Sequence, residues 1–160
     1  MAMRVHLDHN ATTPLRPEAR AALLDALDRL GGNPSSIHAA GRAARALLDD
    51  ARERIAGALG VLEDDLVFTS GGTESNNLAV EGSLRAAGPG AALVTTAVEH
   101  PAVLEPARRL AREGHPLHVV GVDAQGRPDL EALVAAAEGA ALVSAMAANN
   151  EVGATTDLAA

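Results

Sequence analysis

Apolar and polar positions change rhythm near residue 66. Before it, the pattern is helical. In "RPEARAALLDALDRLGG" (16–32), Ala and Leu recur at helical spacing until Gly31-Gly32 stops them. "NPSSIHAAG" is a polar loop broken by Asn33-Pro34. A long amphipathic helix is expected over about 37–59, with Leu47, Leu48, Ala51, Ile55 and Leu59 on one face and Gly60 ending it. Ahead of both, residues 4–15 read as a short extended arm that turns at Thr13-Pro14.

After residue 66, apolar runs and helical patterns alternate four times. "LVFTS", "AALVTTAV", "LHVVGV" and "ALVSAMA" read as strands. "ESNNLAVEGSLRAAG", "EPARRLAREG" and "DLEALVAAAEG" read as the helices between them. Pro106 is expected in the first turn of its helix, where a missing N–H costs nothing. Asp129 is the expected N-cap and Gly139 the stop of the next helix. Alternation of this kind predicts βαβ units: an α/β fold, three layers αβα, with a mostly parallel sheet covered by helices. The near-continuous apolar runs suit strands buried on both faces. "NNEVGATTD" is a polar loop, and Asp157 reads as the N-cap of a further helix. The chain ending one turn into that helix is expected of part of a larger protein. The expected organisation is an arm over 1–15 and an incomplete large domain over 16–160.

Composition narrows the chemistry. The 160 residues carry a formal net charge of -8, which disfavours nucleic acid and anionic membranes as partners. No apolar run reaches the roughly 20 residues that cross a bilayer, and the start lacks a secretory apolar segment, so a soluble, cytoplasmic chain is expected. Cysteine is absent, which removes disulfides, thiolate metal sites and a Cys nucleophile. Lysine is absent as well: all 13 basic residues are arginine. Phe68 is the only aromatic residue.

The densest candidate chemistry lies in "FTSGGTESNN" (68–77). An apolar run, a glycine pair and a helical pattern mark a strand–loop–helix junction. A helix N-terminus there offers unpaired N–H groups and the positive end of a dipole, which suit a phosphate. Gly71 and Gly72 let backbone approach a ligand, and Thr73 adds a hydroxyl. The plainer alternative is an ordinary tight turn capped by Thr. The loop is neither G-x-x-x-x-G-K-[ST] nor G-x-G-x-x-G. His100 closes "ALVTTAV", and Asn149 and Asn150 close "ALVSAMA", so all are expected at strand carboxyl ends, where open α/β sheets bind ligands. Glu74 and Glu151 read as a helix-start and a loop carboxylate without required chemistry. His6, His9, His38, His115 and His118 form no metal-ligand spacing, and an extended arm would not align His6 with His9.

Five stretches occur in one order: "LDHNATTP", "GNPSSIHAAGR", "FTSGGTESNNLA", "VEHPAV" and "NNEVG". Together they resemble the cysteine desulfurases of the class V aminotransferase family, pyridoxal-phosphate enzymes of fold type I. The resemblance runs from about Val5 to Asp157 and covers the N-terminal part of a family member. It implies pyridoxal 5'-phosphate as cofactor and L-cysteine as substrate. The implied partner is a sulfur-acceptor or iron–sulfur scaffold protein, and the full-length form would be a homodimer. Gly72 and Thr73 match the phosphate-binding pair. His100 matches the histidine that stacks on the pyridine ring and assists proton transfer. Asn150 matches a residue near the ring hydroxyl and substrate. The "LDHNATTP" arm matches a segment that packs with the smaller domain.

The resemblance also implies a lysine that links to the cofactor and a cysteine thiolate that takes the sulfur. Neither occurs here, and in the family both come later in sequence. Ala147 stands where many relatives carry His. The parent protein is therefore expected to convert L-cysteine to L-alanine with sulfur transfer, and this chain alone to be inactive. Alternatives are another class V enzyme (a selenocysteine lyase or an aminotransferase), a non-catalytic binding or dimerisation fragment, or a nucleotide-binding domain.

Overall fold

The computed structural model describes residues 5–157. The start of the expected arm and the helix expected after Asp157 lie outside the described residues. The chain groups into two compact units, one ending at Phe68 and the other starting at Thr69.

In the first unit, α1 spans Pro17–Arg29, with Pro17 opening it and Glu18 and Arg29 complementing its dipole. None of its residues is buried. Helix α2 spans Ala39–Leu59. His38 caps it, its Nδ1 accepting from the Gly41 N–H at 3.3 Å. Gly60 ends it in the left-handed conformation at φ 69, as the sequence predicts. Gly41 allows a close approach, since a Cβ there would run into the Ser36 carbonyl. The arm departs from expectation. A turn at residues 9–11 brings His6 and His9 together, ring centroids 4.7 Å apart and edge-on.

The first expected strand, "LVFTS", does not form. Residues 66–69 have no ladder partner among the described residues, and Val67 and Phe68 stay exposed. A strand is defined by its neighbour, and periodicity alone cannot supply one. Local side chains use the backbone instead: Arg52 donates to the Leu66 carbonyl, and its guanidinium lies 4.7 Å from the centre of the Phe68 ring.

The second unit contains α3 (Gly72–Ala87), β1 (Leu93–Thr96), α4 (Pro101–Arg112), β2 (Leu117–Val120), α5 (Leu130–Ala137) and β3 (Leu142–Ser144). The strands form a parallel sheet in the order β2-β1-β3, with Leu93 aligned to Leu117 and to Leu142. Side chains of β1 alternate between two cores. Leu93 packs with Val80 and Leu84 of α3 and Val103, Ala107 and Leu110 of α4. Val94 packs with Val120 and with Leu133 of α5. Helices on both faces of a parallel sheet are the three-layer αβα arrangement expected. Burial on both faces holds for β1; β2 and β3 are only partly covered.

Asp129 caps α5 as predicted, accepting from the Ala132 N–H at 3.0 Å. Helix α4 corrects the sequence reading. It begins four residues before the expected start, with Pro101 in the first turn and Pro106 inside. Proline tolerance at a helix start applies to both prolines in the sequence, and the earlier one carries the start because His100 caps it.

Thr95 and Thr96 on β1 are fully buried, and their hydroxyls have no hydrogen-bond partner among the described residues. A buried unsatisfied hydroxyl costs about 1–3 kcal/mol, and an apolar group of the same shape removes that cost. Thr95→Val is therefore expected to raise the unfolding free energy by about 1 kcal/mol, read by urea denaturation. A loss of stability would mean that the hydroxyl has a partner.

Candidate functional site

The loop before α3 satisfies its own polar groups with its own side chains. The Thr69 hydroxyl lies 2.7 Å from that of Ser75, and both reach the Gly71 carbonyl at 3.2 Å. Glu74 folds back to accept from the Ser70 N–H at 2.7 Å and its hydroxyl at 2.6 Å. The Ser70 hydroxyl, then its N–H, hold the Glu74 carboxyl below the usual carboxylate range. Residue type alone had suggested no task for this carboxylate.

The first N–H of α3 to find a backbone acceptor is that of Ser75, to Gly71 at 3.1 Å. Those of Gly72, Thr73 and Glu74 precede it and have no acceptor among the described residues. Apart from the adjoining backbone, no atom of the described residues lies within 4 Å of where a Cβ would stand on Gly71 or Gly72. Gly71 is extended at φ 164, which any residue adopts. The fold itself does not demand glycine at either position. The free donors and open space would be used by an anion drawn against the backbone.

His100 caps α4, its Nδ1 accepting from the Ala102 N–H at 3.0 Å. That bond assigns the neutral ring's proton to Nε2 and fixes the ring's orientation. Parallel pairing puts the ends of β1 and β3 on one rim. Helix α3 packs beside α4 and leads back into the start of β1, so its N-terminus reaches that rim too. Thr73 and His100 line one cleft of about 460 Å³, with Asn77, Arg109 and Arg112. Arg109 ties the helices together through Glu81 of α3 and Glu113, and these carboxylates, Glu81 foremost, raise its pKa further.

Asn150 lies in the exposed turn after β3, with its amide donating to Glu151 at 3.1 Å, and does not line that cleft. Asn149 makes the cross-connection instead. Its amide donates to the Val98 carbonyl at 3.2 Å, and its oxygen accepts from the N–H groups of Glu151 at 2.8 Å and Val152 at 3.0 Å. The turns after β1 and β3 are thereby joined.

Glu99 was not singled out from sequence. It is 8% exposed, and one carboxylate oxygen has no partner among the described residues. Burial pushes its carboxyl above the ordinary range, opposed by the backbone N–H groups of Met146 and His100 and by the His100 imidazole. A carboxylate directly after the mostly apolar run "AALVTTAV" was the available signal. Among the described residues, no group of three or more His, Asp or Glu could hold a metal.

The sequence profile of the aminotransferase class-V family matches residues 5–160. The chain is 44% identical over 155 residues to "Cysteine desulfurase IscS" of Dictyoglomus turgidum, covering 96% of this chain and 39% of that relative. It is 46% identical over 153 residues to a cysteine desulfurase of Cereibacter sphaeroides, covering 94% and 40%. A solved structure described as a NifS-like protein superposes with TM-score 0.87 at 37% identity, covering 96% of this chain and 43% of that one. One described as SspA in complex with cysteine gives TM-score 0.80 at 28% identity, covering 93% and 44%. This chain thus spans about two fifths of the length of the two curated desulfurases.

Glu99 gives the second unit a pH signature. A carboxyl whose folded pKa lies above its unfolded one binds its proton more tightly when folded. With respect to this group, stability is therefore highest below the ordinary value of 4.5 and falls as pH rises through the window above it. Glu99→Gln should flatten that fall, read as unfolding free energy against pH from 4 to 8. An unchanged pH slope would show that Glu99 ionises without penalty.

Proposed function

This chain belongs to the aminotransferase class-V family, and on that premise we propose that it is the cofactor-holding part of a pyridoxal-phosphate-dependent cysteine desulfurase. The observation that carries the reading is one cleft lined by both Thr73 and His100, at a helix start where the Gly72, Thr73 and Glu74 N–H groups have no acceptor among the described residues. A phosphate-tailed aromatic ring needs that combination: donors for the anion and a flat group for the ring.

In this reading, the N–H groups of Gly72 and Thr73 and the Thr73 hydroxyl bind the phosphate. Glycine at 71 and 72 keeps the approach open. His100 would hold the cofactor ring and carry a proton at Nε2, its orientation fixed by the Ala102 N–H. Asn150, outside that cleft in the turn that Asn149 anchors to Val98, would have to exchange its Glu151 bond to offer its amide toward the ring hydroxyl and the substrate. Bound pyridoxal phosphate supplies an electron sink for carbanion chemistry at the substrate Cα.

The donor set fits the cofactor's anionic end, while the reactive groups lie elsewhere. The sequence contains no lysine to link to the cofactor and no cysteine to carry sulfur. The proposed reaction, L-cysteine to L-alanine with sulfur passed to an acceptor or iron–sulfur scaffold protein, thus belongs to a longer, cytoplasmic, homodimeric protein. These 160 residues would be inactive alone.

Two variants test the cup. Thr73→Ala is expected to weaken pyridoxal phosphate binding about tenfold, measured by equilibrium dialysis with pyridoxal as the phosphate-free control. Gly72→Ala should weaken it at least as much while leaving stability equal or higher, because Ala is the better helix former and meets no atom there. Equal binding of pyridoxal and its phosphate would contradict the reading.

A further inference from the structure

Asparagine is a poor residue for a helix interior, because its side chain competes for backbone groups. Asn77 nevertheless sits one turn inside α3, half-buried. Its amide donates twice. One bond goes to the Thr73 carbonyl of its own helix at 2.8 Å, and the other crosses to the Ala102 carbonyl of α4 at 3.3 Å.

The Ala102 carbonyl is open to a foreign donor for an identifiable reason. In an α-helix it would accept from the N–H four residues on, which is residue 106. That residue is Pro106, which has no N–H and whose ring crowds the same carbonyl. Ala102 is itself buried, so an unanswered carbonyl there would be costly. Asn77 replaces the missing donor from the neighbouring helix. The residue it grips is also the one whose N–H holds the His100 ring, at 3.0 Å. One side chain therefore links the turn bearing Thr73 to the turn bearing His100.

We propose that Asn77 is a positioning residue, clamping the first turns of α3 and α4 at a fixed separation, and that Pro106 frees the carbonyl through which it does so. The consequence for cofactor binding rests on the function proposed above. The clamp itself stands on the hydrogen bonds alone. Its two parts are separable. Satisfying the Ala102 carbonyl is a matter of stability, which any donor can meet. Holding the two turns together requires the bond from α3.

The full chain carries the test as a double-mutant cycle. Asn77→Ala should lower the ratio of folded to unfolded protein about tenfold. With Pro106→Ala, which restores an N–H for Ala102, the same change should cost only about twofold. Pyridoxal phosphate affinity should behave differently. It should fall about tenfold on Asn77→Ala and stay low in the double variant, because the helix carbonyl is satisfied while the clamp is not. The nitrogen resonances of the His100 ring should shift from the parent's Nδ1-acceptor pattern in both variants lacking Asn77. Asn77→Asp, which keeps the shape but turns an acceptor toward two carbonyls, should be at least as damaging.

Additive stability effects would show that Asn77 and Pro106 share no carbonyl and would overturn the proposal. Recovery of affinity together with stability in the double variant would reduce Asn77 to a purely structural residue and would also overturn it. If the parent binds no pyridoxal phosphate, the proposed function fails. The cycle and the His100 resonances then still decide the clamp.

Discussion

A parallel strand order makes helix N-termini converge. Each strand of β2-β1-β3 points the same way, so the turns that leave β1 and β3 meet at one rim, and α3, returning toward the start of β1, brings its N-terminus there. Helix N-termini carry N–H groups that the helix cannot satisfy. At the start of α4 the His100 side chain takes one of them. At the start of α3 the loop hydroxyls and Glu74 satisfy the preceding residues, and the donors of Gly72 and Thr73 find no acceptor among the described residues. The asymmetry between a capped helix and an uncapped one, side by side, is the physical basis of the proposed anion site.

The side chains nearest the rim are held by the turns around them. Asn149 joins the turn after β3 to Val98, Glu99 is buried beside His100, and Asn77 spans the first turns of α3 and α4. Two histidines, His38 and His100, use Nδ1 in the same way, as acceptors at helix starts. For His38 that role is sufficient. His100 makes the same bond while lining the cleft that Thr73 shares, which is what separates a capping histidine from a candidate functional one.

Much of this was legible in the sequence because it is local. Gly60 and Asp129 announced a helix end and a helix start by residue type alone, and the alternation after residue 66 pointed to the layer arrangement. What was not legible depended on neighbours. "LVFTS" has the composition of a strand, yet residues 66–69 find no strand to pair with among the described residues. Two prolines competed for one helix start, and only the His100 cap decided for Pro101. His6 and His9 meet through a turn that no period predicts. Motifs pointed to Gly72, Thr73, His100 and Asn150; of these, Thr73 and His100 line one cleft and Asn150 does not. Asn77, Glu99 and the bond from Asn149 to Val98 were not legible, since each depends on a carbonyl distant in sequence or on burial.

The most direct test of the proposed anion site is amide and imidazole chemical-shift mapping of the full chain as pyridoxal phosphate is added. The account predicts that the Gly72 and Thr73 amides and the His100 ring move together and saturate at one concentration. Shifts confined to the separate cleft between His118 and Ala132, beside Arg127, with the start of α3 unmoved, would contradict it.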